Sequence, residues 1–301
     1  MKLSTIKTLS LVGLTLFVSC KLKPALPTAK NGKSLLWEVS GNGLKKPSYF
    51  YGTMHLMCAE DAVLSATVQK IMRRVSTIYL EVDMDNAGEL VGGILDLSMK
   101  NNGQLSDYLT EEDYTRVRAF FGKYQPGLPF NMLERQHPLM LSSSLYELLL
   151  PCEKKNGIEL RIIDEAYRLK KETRGLETLA FQSSIFDSIP YQQQAEELVK
   201  SIDSIGKMRQ TMDEMLAVYK QQDLDKLQAL TMQEESGINN HLDLLLYSRN
   251  RNWVQQFDSI AANGSTLFAV GAGHLGGVDV LLDLLKKKGY TVRALENGSG
   301  R

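Results

Sequence analysis

The stretch Thr266–Leu275, TLFAVGAGHL, constrains this chain most. Leu267, Phe268, Ala269 and Val270 form a short apolar run that breaks into Gly-Ala-Gly-His, the pattern of a buried strand ending on glycines. Val278, Leu281, Leu282 and Leu285 follow at helical spacing, then Lys286-Lys287-Lys288-Gly289, cations and a glycine that stop a helix. Tyr290–Leu295 reads as a further strand. His274 therefore stands where a strand ends and a helix begins, a usual ligand position in an α/β sheet. Far upstream, Ser48-Tyr-Phe-Tyr-Gly52-Thr-Met-His55 repeats the device. Two of the four histidines follow Gly-x-x-His, and the fold must bring together two distant ends of the chain.

The intervening pattern sets the class. Leu35–Val39 and Pro47–Tyr51 read as strands joined by the turn Gly41-Asn-Gly43. Asp61 is placed to cap a helix carrying Leu64, Val68, Ile71, Met72 and Val75. Thr77–Asp83 is the next strand and bears Glu81. From about Met84 to Ala262 the periodicity is mostly helical, with a capping box at Thr110–Asp113 and a stop at Pro151. Gly157–Ile163, GIELRII, reads as one more strand inside this region. The expectation is an α/β fold: a mixed central sheet built from both chain ends, with a large helical insertion over about 84–262.

Composition excludes little. Lys+Arg and Asp+Glu are 35 each, no basic stripe stands out, and nothing points to nucleic acid. The first residues are distinctive. Lys2 and Lys7 precede an apolar core over Leu9–Val18, too short to span a bilayer comfortably, ending at Ser19-Cys20. This resembles a bacterial lipobox, with Phe17 where leucine is commoner. It implies a signal peptide over 1–19, lipidation of Cys20, a tether over 20–33 and a domain over 34–297. The setting would be the cell envelope, lipid-anchored and facing the periplasm. Cys58 and Cys152 remain; such a compartment permits a disulfide, but two cysteines alone do not show that they meet.

The chemistry-bearing residues are few. Neutral imidazole is a common metal ligand and a general base near neutral pH, so the paired His55 and His274 are the first candidates. Glu81 is an acid flanked by Leu80 and Val82, placed to ligate a metal or orient a histidine. In Arg249-Asn250-Arg251-Asn252-Trp253 the two arginines point to different helix faces, so one can serve a site while the other meets solvent. Glu177 stands at an apparent helix start, where the dipole alone explains a carboxylate. Cys58, three residues past His55, reads as a structural thiol, and His137 and His241 as structural histidines. Gly271-x-Gly273-x-x-Gly276 has the local layout of a dinucleotide fingerprint, but that reading ignores the matching Gly52-x-x-His55.

Gly52-Thr-Met-His55, Leu80-Glu81-Val82-Asp83, Gly175-Leu-Glu-Thr178, Arg249-Asn250 with Trp253, and Gly271-Ala-Gly-His274 together resemble the TraB/GumN family, whose animal relatives include the Tiki Wnt-inactivating metalloproteases. The resemblance covers roughly residues 34–297. It implies a fold similar to erythromycin esterases and ChaN haem-binding lipoproteins. It places His55, Glu81, His274 and Arg249 around one cleft as the catalytic set, with Asn250, Glu177 and Arg251 secondary. The Tiki branch implies a divalent metal (manganese or cobalt, with zinc as a third choice) on His55, Glu81 and His274, and cleavage of a peptide substrate. The esterase branch implies a histidine base without metal and a small-molecule substrate. The lipoprotein branch implies haem or metal binding without catalysis.

Overall fold

A computed structural model describes residues 26–29, 33–83, 88, 97–125, 127, 129–233 and 241–298. Cys20, the leader and the tether residues 20–25 and 30–32 lie outside the described residues. No helix among the described residues is long and apolar enough to cross a membrane.

The sheet has six strands in the order β6-β4-β7-β2-β1-β8. These are β1 (Leu36–Ser40), β2 (Ser48–Thr53), β4 (Thr77–Val82), β6 (Glu172–Glu177), β7 (Thr266–Gly271) and β8 (Thr291–Ala294); a separate two-stranded ladder pairs β3 (Met57–Cys58) with β5 (Lys155–Asn156). β1 and β2 form the hairpin expected from Gly41-Asn-Gly43, whose three residues all take positive φ. β6, β4, β7 and β2 run parallel. β7, from the far end of the chain, therefore enters between two strands of the first eighty-odd residues. Its register sets Tyr51 against Ala269 and Thr53 against Gly271, which aligns the two Gly-x-x-His elements at one end of the sheet.

Two expectations fail here. GIELRII is no strand: Ile158–Arg168 is a helix that buries Ile158, Ile162 and Ala166 at fourfold spacing. β-branched residues lend the segment strand character, but an amphipathic face packed on the core decides the outcome. A strand does enter from the helical region, and it is β6, ETRGLE. It occupies a sheet edge, so it needs no apolar run. The helix after β3 is Ala66–Arg74, capped by Ser65 and not by Asp61: the Ser65 hydroxyl accepts from Val68 N–H. Val68, Ile71 and Met72 line its buried face as the sequence implied.

The helix Ser248–Ala262 holds the sheet and the site together. Its buried positions are Arg249, Asn250, Trp253, Val254, Phe257 and Ala261, one helical stripe. Phe257 packs on an aromatic row that crosses three strands: Phe50 stacks on Phe268 at 4.7 Å, and Tyr79 lies 5.7 Å from Phe268. Two turns toward its N-terminus the same stripe carries Arg249 and Asn250 beyond the strand ends. Helices Glu111–Tyr124, Pro138–Leu149 and Tyr191–Asp203 build a second apolar cluster around Leu105, Phe121, Leu141, Leu145 and Leu198.

Cys58 and Cys152 form a disulfide across a sequence separation of 94, beside Leu149, Leu150 and Met212. It fastens β3 to the segment leading into β5. Closing so long a loop restricts the unfolded chain, so Cys58→Ser or Cys152→Ser should lower stability by about 2–5 kcal/mol. Denaturant midpoints of oxidised parent and variants measure this; equal midpoints would contradict it.

Candidate active site

Four parallel strands deliver the site from their carboxyl ends. His55 follows β2, Glu81 lies near the end of β4, Glu177 ends β6, and His274 sits on the short 3-10 turn Ala272–His274 after β7. Ligands of open α/β sheets bind at this end. The glycines before the histidines serve through their missing Cβ, since neither has a positive φ. A Cβ on Gly52 would come 3.1 Å from Leu275 Cδ1 and 3.3 Å from Ala272, so Gly52 admits the turn bearing the other histidine. A Cβ on Gly271 would stand 3.2 Å from Glu81 Oε1 and 3.3 Å from His55 Nε2. Its absence leaves a hollow where the candidates converge.

Glu81 is the hub. Its Oε1 accepts from the Gly271 backbone N–H at 2.8 Å and lies 3.9 Å from His55 Nε2 and 3.8 Å from His274 Nε2. Its Oε2 takes the Arg249 Nη2–H at 2.6 Å. Burial opposes ionisation, but the imidazoles of His274 and His55, the guanidinium and the Gly271 N–H hold the carboxyl well below its usual range.

Arg249 is itself fixed. Nε donates to Glu177 Oε2 at 2.9 Å, and Nη1 donates to the Leu245 carbonyl at 2.9 Å and to His274 Nε2 at 3.2 Å. Leu245 belongs to the π-helical stretch Asp243–Tyr247 that leads into the long helix; such irregular turns recur at functional sites. With Glu81 included, four of the five guanidinium N–H groups are engaged inside the cluster. Glu177 ends a strand instead of starting a helix, whose N-cap is Thr178. Its carboxylate is buried, bonded to Arg249 and, through Oε1, to Trp253 Nε1–H at 2.8 Å. The helix dipole is therefore not its explanation. Burial raises its pKa against the opposing Arg249. Arg251, on the other helix face, pairs with Asp243 at the surface and takes no part.

The two histidines differ. His274 is buried against Trp253, ring centroids 4.5 Å apart. Arg249 can only donate, so Nε2 accepts, and the Nδ1–H donates to Asn250 Oδ1 at 2.7 Å. Asn250 thus sets the tautomer that turns the Nε2 lone pair inward. Burial, against the pull of Glu81 and with Arg249 adding, lowers His274 to about 3. His55 is exposed, and its Nδ1 lies 2.7 Å from Glu159 Oε1. Desolvation alone would lower His55, but the hydrogen bond and charge of Glu159, then Glu81, prevail and raise it to about 9.

Neutral His274 makes a prediction. Its folded pKa lies below the ordinary 6.5, so its contribution to stability is complete above pH 6.5 and is lost as pH falls toward 3. The ion-free protein should show a melting temperature that drops steadily over that interval. His274→Gln should flatten the drop. An unchanged slope would contradict the neutral assignment.

Glu159 and Gln182 were not legible in the sequence. Glu159 falls in the segment read as a strand; it lies instead on the first turn of the Ile158–Arg168 helix, and the ladder between β3 and β5 and the Ile158 N–H bond to the Met54 carbonyl bring it beside His55. Gln182 reaches Glu81 Oε2 at 3.5 Å and Glu177 Oε2 at 3.4 Å. His137 is structural as expected, bonded to the Leu97 carbonyl and to Asp187. Cys58 is committed to its disulfide.

The donor chemistry suits a divalent ion. His55 Nε2 and Glu81 Oε1 border the hollow at Gly271, with the Cδ2 edge of His274 beside them. His274 Nε2 accepts from Arg249, Asn250 holds the outer nitrogen of His274, and Glu159 stands 2.7 Å from that of His55. The spacing is open: donors sharing one tetrahedral ion stand about 3.3 Å apart, less than the 3.8 and 3.9 Å found here. Among the described residues no group of three such side chains is close enough to hold an ion as it stands.

Residues 35–294 match the model of the TraB/PrgY/gumN family, and the chain belongs to that family. It is 22% identical to "Metalloprotease TIKI1" of Homo sapiens, over 91% of this chain and 64% of the relative. It is also 22% identical to "Metalloprotease TIKI2" of Danio rerio, over 87% of this chain and 61% of the relative. The chain thus spans somewhat under two thirds of the length of these relatives. No solved structure matches it.

Proposed function

We propose that this protein is a metal-assisted hydrolase, a peptidase, acting at the His55–Glu81–His274 cluster. The observation that carries the reading is the convergence of these three groups on the hollow at Gly271. The names of its relatives support it. A divalent ion (manganese, cobalt or zinc) held by His55, Glu81 and His274 would polarise a scissile carbonyl and lower the pKa of water. Glu81 would supply the anionic ligand. Asn250 and Glu159 fix the inward nitrogens of the two imidazoles. Arg249 keeps Glu81 ionised and oriented, and its remaining Nη2–H is available to a developing oxyanion.

The metal-free alternative assigns His55 as general base. A base must be neutral when it acts, and the carboxylates around His55 keep the ion-free ring protonated near pH 7. Axial haem ligation fits less well, because His274 is buried with its ring packed on Trp253, which leaves no room beside it for a macrocycle.

We also place the protein in the bacterial envelope, lipidated at Cys20 and facing the periplasm, where its disulfide would persist. Unstructured peptides incubated with protein and each of the three ions test the activity. Cleavage abolished by chelation and by Glu81→Gln is expected; no cleavage of peptides or esters under any ion would sink the reading.

A further inference from the structure

Beside the cluster lies a cleft of about 390 Å³, lined by His55, Glu81, Glu159, Gly157 and Gln182 at its polar end and by Leu80, Val82, Leu160, Ile163 and Leu179 elsewhere. Its aliphatic wall comes from three elements. Leu80 and Val82 are alternate residues of β4, on the opposite pleat face from Glu81. Leu160 and Ile163 form a second stripe on the Ile158–Arg168 helix, beside the Ile158, Ile162, Ala166 stripe spent on the core. Leu179 opens the helix Leu179–Asp187.

Leu160 is 47% exposed. A lone exposed leucine needs no explanation, but this one lines, with four other aliphatic side chains, a concave surface that ends at Glu81. The volume falls at the lower end of the range for ligand pockets, room for one side chain and its adjoining backbone. The lining contains two carboxylates and no lysine or arginine, and its one cationic group, His55, is already paired with Glu159 at 2.7 Å, so an acidic group would meet repulsion without an unpaired counter-ion.

We propose that this cleft binds an uncharged aliphatic or aromatic side chain of the substrate next to the bond that is cleaved, and that Leu160 is a specificity-determining residue. The substrate class is then a peptide with an apolar residue flanking the scissile bond. This rests on the hydrolase reading above, so the test reads binding as well as turnover.

N-acetyl-leucine amide, N-acetyl-phenylalanine amide and N-acetyl-aspartic acid amide are titrated into the full chain by ligand-observed NMR, with Leu160→Lys alongside, checked for folding by circular dichroism. The two apolar amides should bind the parent at least about tenfold more tightly than the acidic one. Leu160→Lys should weaken the apolar pair and strengthen the acidic amide, reversing or erasing the ranking. Equal binding of all three to the parent, or a folded Leu160→Lys with the parent's ranking, overturns the proposal. The parent's ranking stands as a test even without the variant. Apolar preference in binding with no cleavage of any peptide supports the cleft assignment and removes the hydrolase reading alone.

Discussion

An Arg249→Met variant is expected to lose about 3–5 kcal/mol of folding stability and all measurable turnover. Methionine matches the length of the aliphatic stem, so the loss is that of the guanidinium. Glu177 is buried and Glu81 nearly so; Arg249 is the charged partner of Glu177 at 2.9 Å and the nearest one of Glu81 at 2.6 Å. Removing the cation leaves two carboxylates in one apolar site, and it also strips His274 Nε2 of its donor. Arg249→Lys should rescue little, because one ammonium cannot reach the two carboxylates, the Leu245 carbonyl and His274 at once. Adding Glu177→Leu to Arg249→Met should return much of the stability and none of the activity. Urea unfolding of the four proteins tests this; a loss under about 1 kcal/mol for Arg249→Met would show that the pairs are screened like surface bridges.

The second large effect is on rate. Glu81→Gln keeps the shape of the side chain and an oxygen for the Gly271 N–H, but it removes the anion on which both imidazoles and Arg249 converge. Peptide turnover should fall by roughly a thousandfold, about 4 kcal/mol of transition-state stabilisation. Near-native circular dichroism must accompany the loss for it to be chemical. A variant within tenfold of the parent would move Glu81 from the chemistry to the scaffold.

Much of this site was legible because strand ends punctuated by glycine are visible one residue at a time. His55, Glu81 and His274 stand at such ends, and the i, i+2 spacing of Arg249 and Arg251 already assigned them to different helix faces. The misreadings share a cause. GIELRII and ETRGLE differ in apolar content, but content does not say which segment pairs on a sheet edge and which lies over the core. Glu177 looked like a helix-start acid because its partners, Arg249 and Trp253, are more than seventy residues away. Glu159 and Gln182 sit on amphipathic helices, where a polar residue is the default and only tertiary placement gives it a task. What the glycines do was not visible one residue at a time: each lacks the Cβ that would fill the space taken by the opposing histidine's turn or by the hollow.

Calorimetric titration of manganese, cobalt and zinc into ion-free protein bears most directly on the central claim that His55, Glu81 and His274 form a metal-assisted hydrolytic centre. The parent should bind one ion per chain of at least one of the three, and folded Glu81→Gln and His274→Ala should bind none at the same concentrations. A folded parent that takes up none of the three, or variants that bind as the parent does, would contradict the claim.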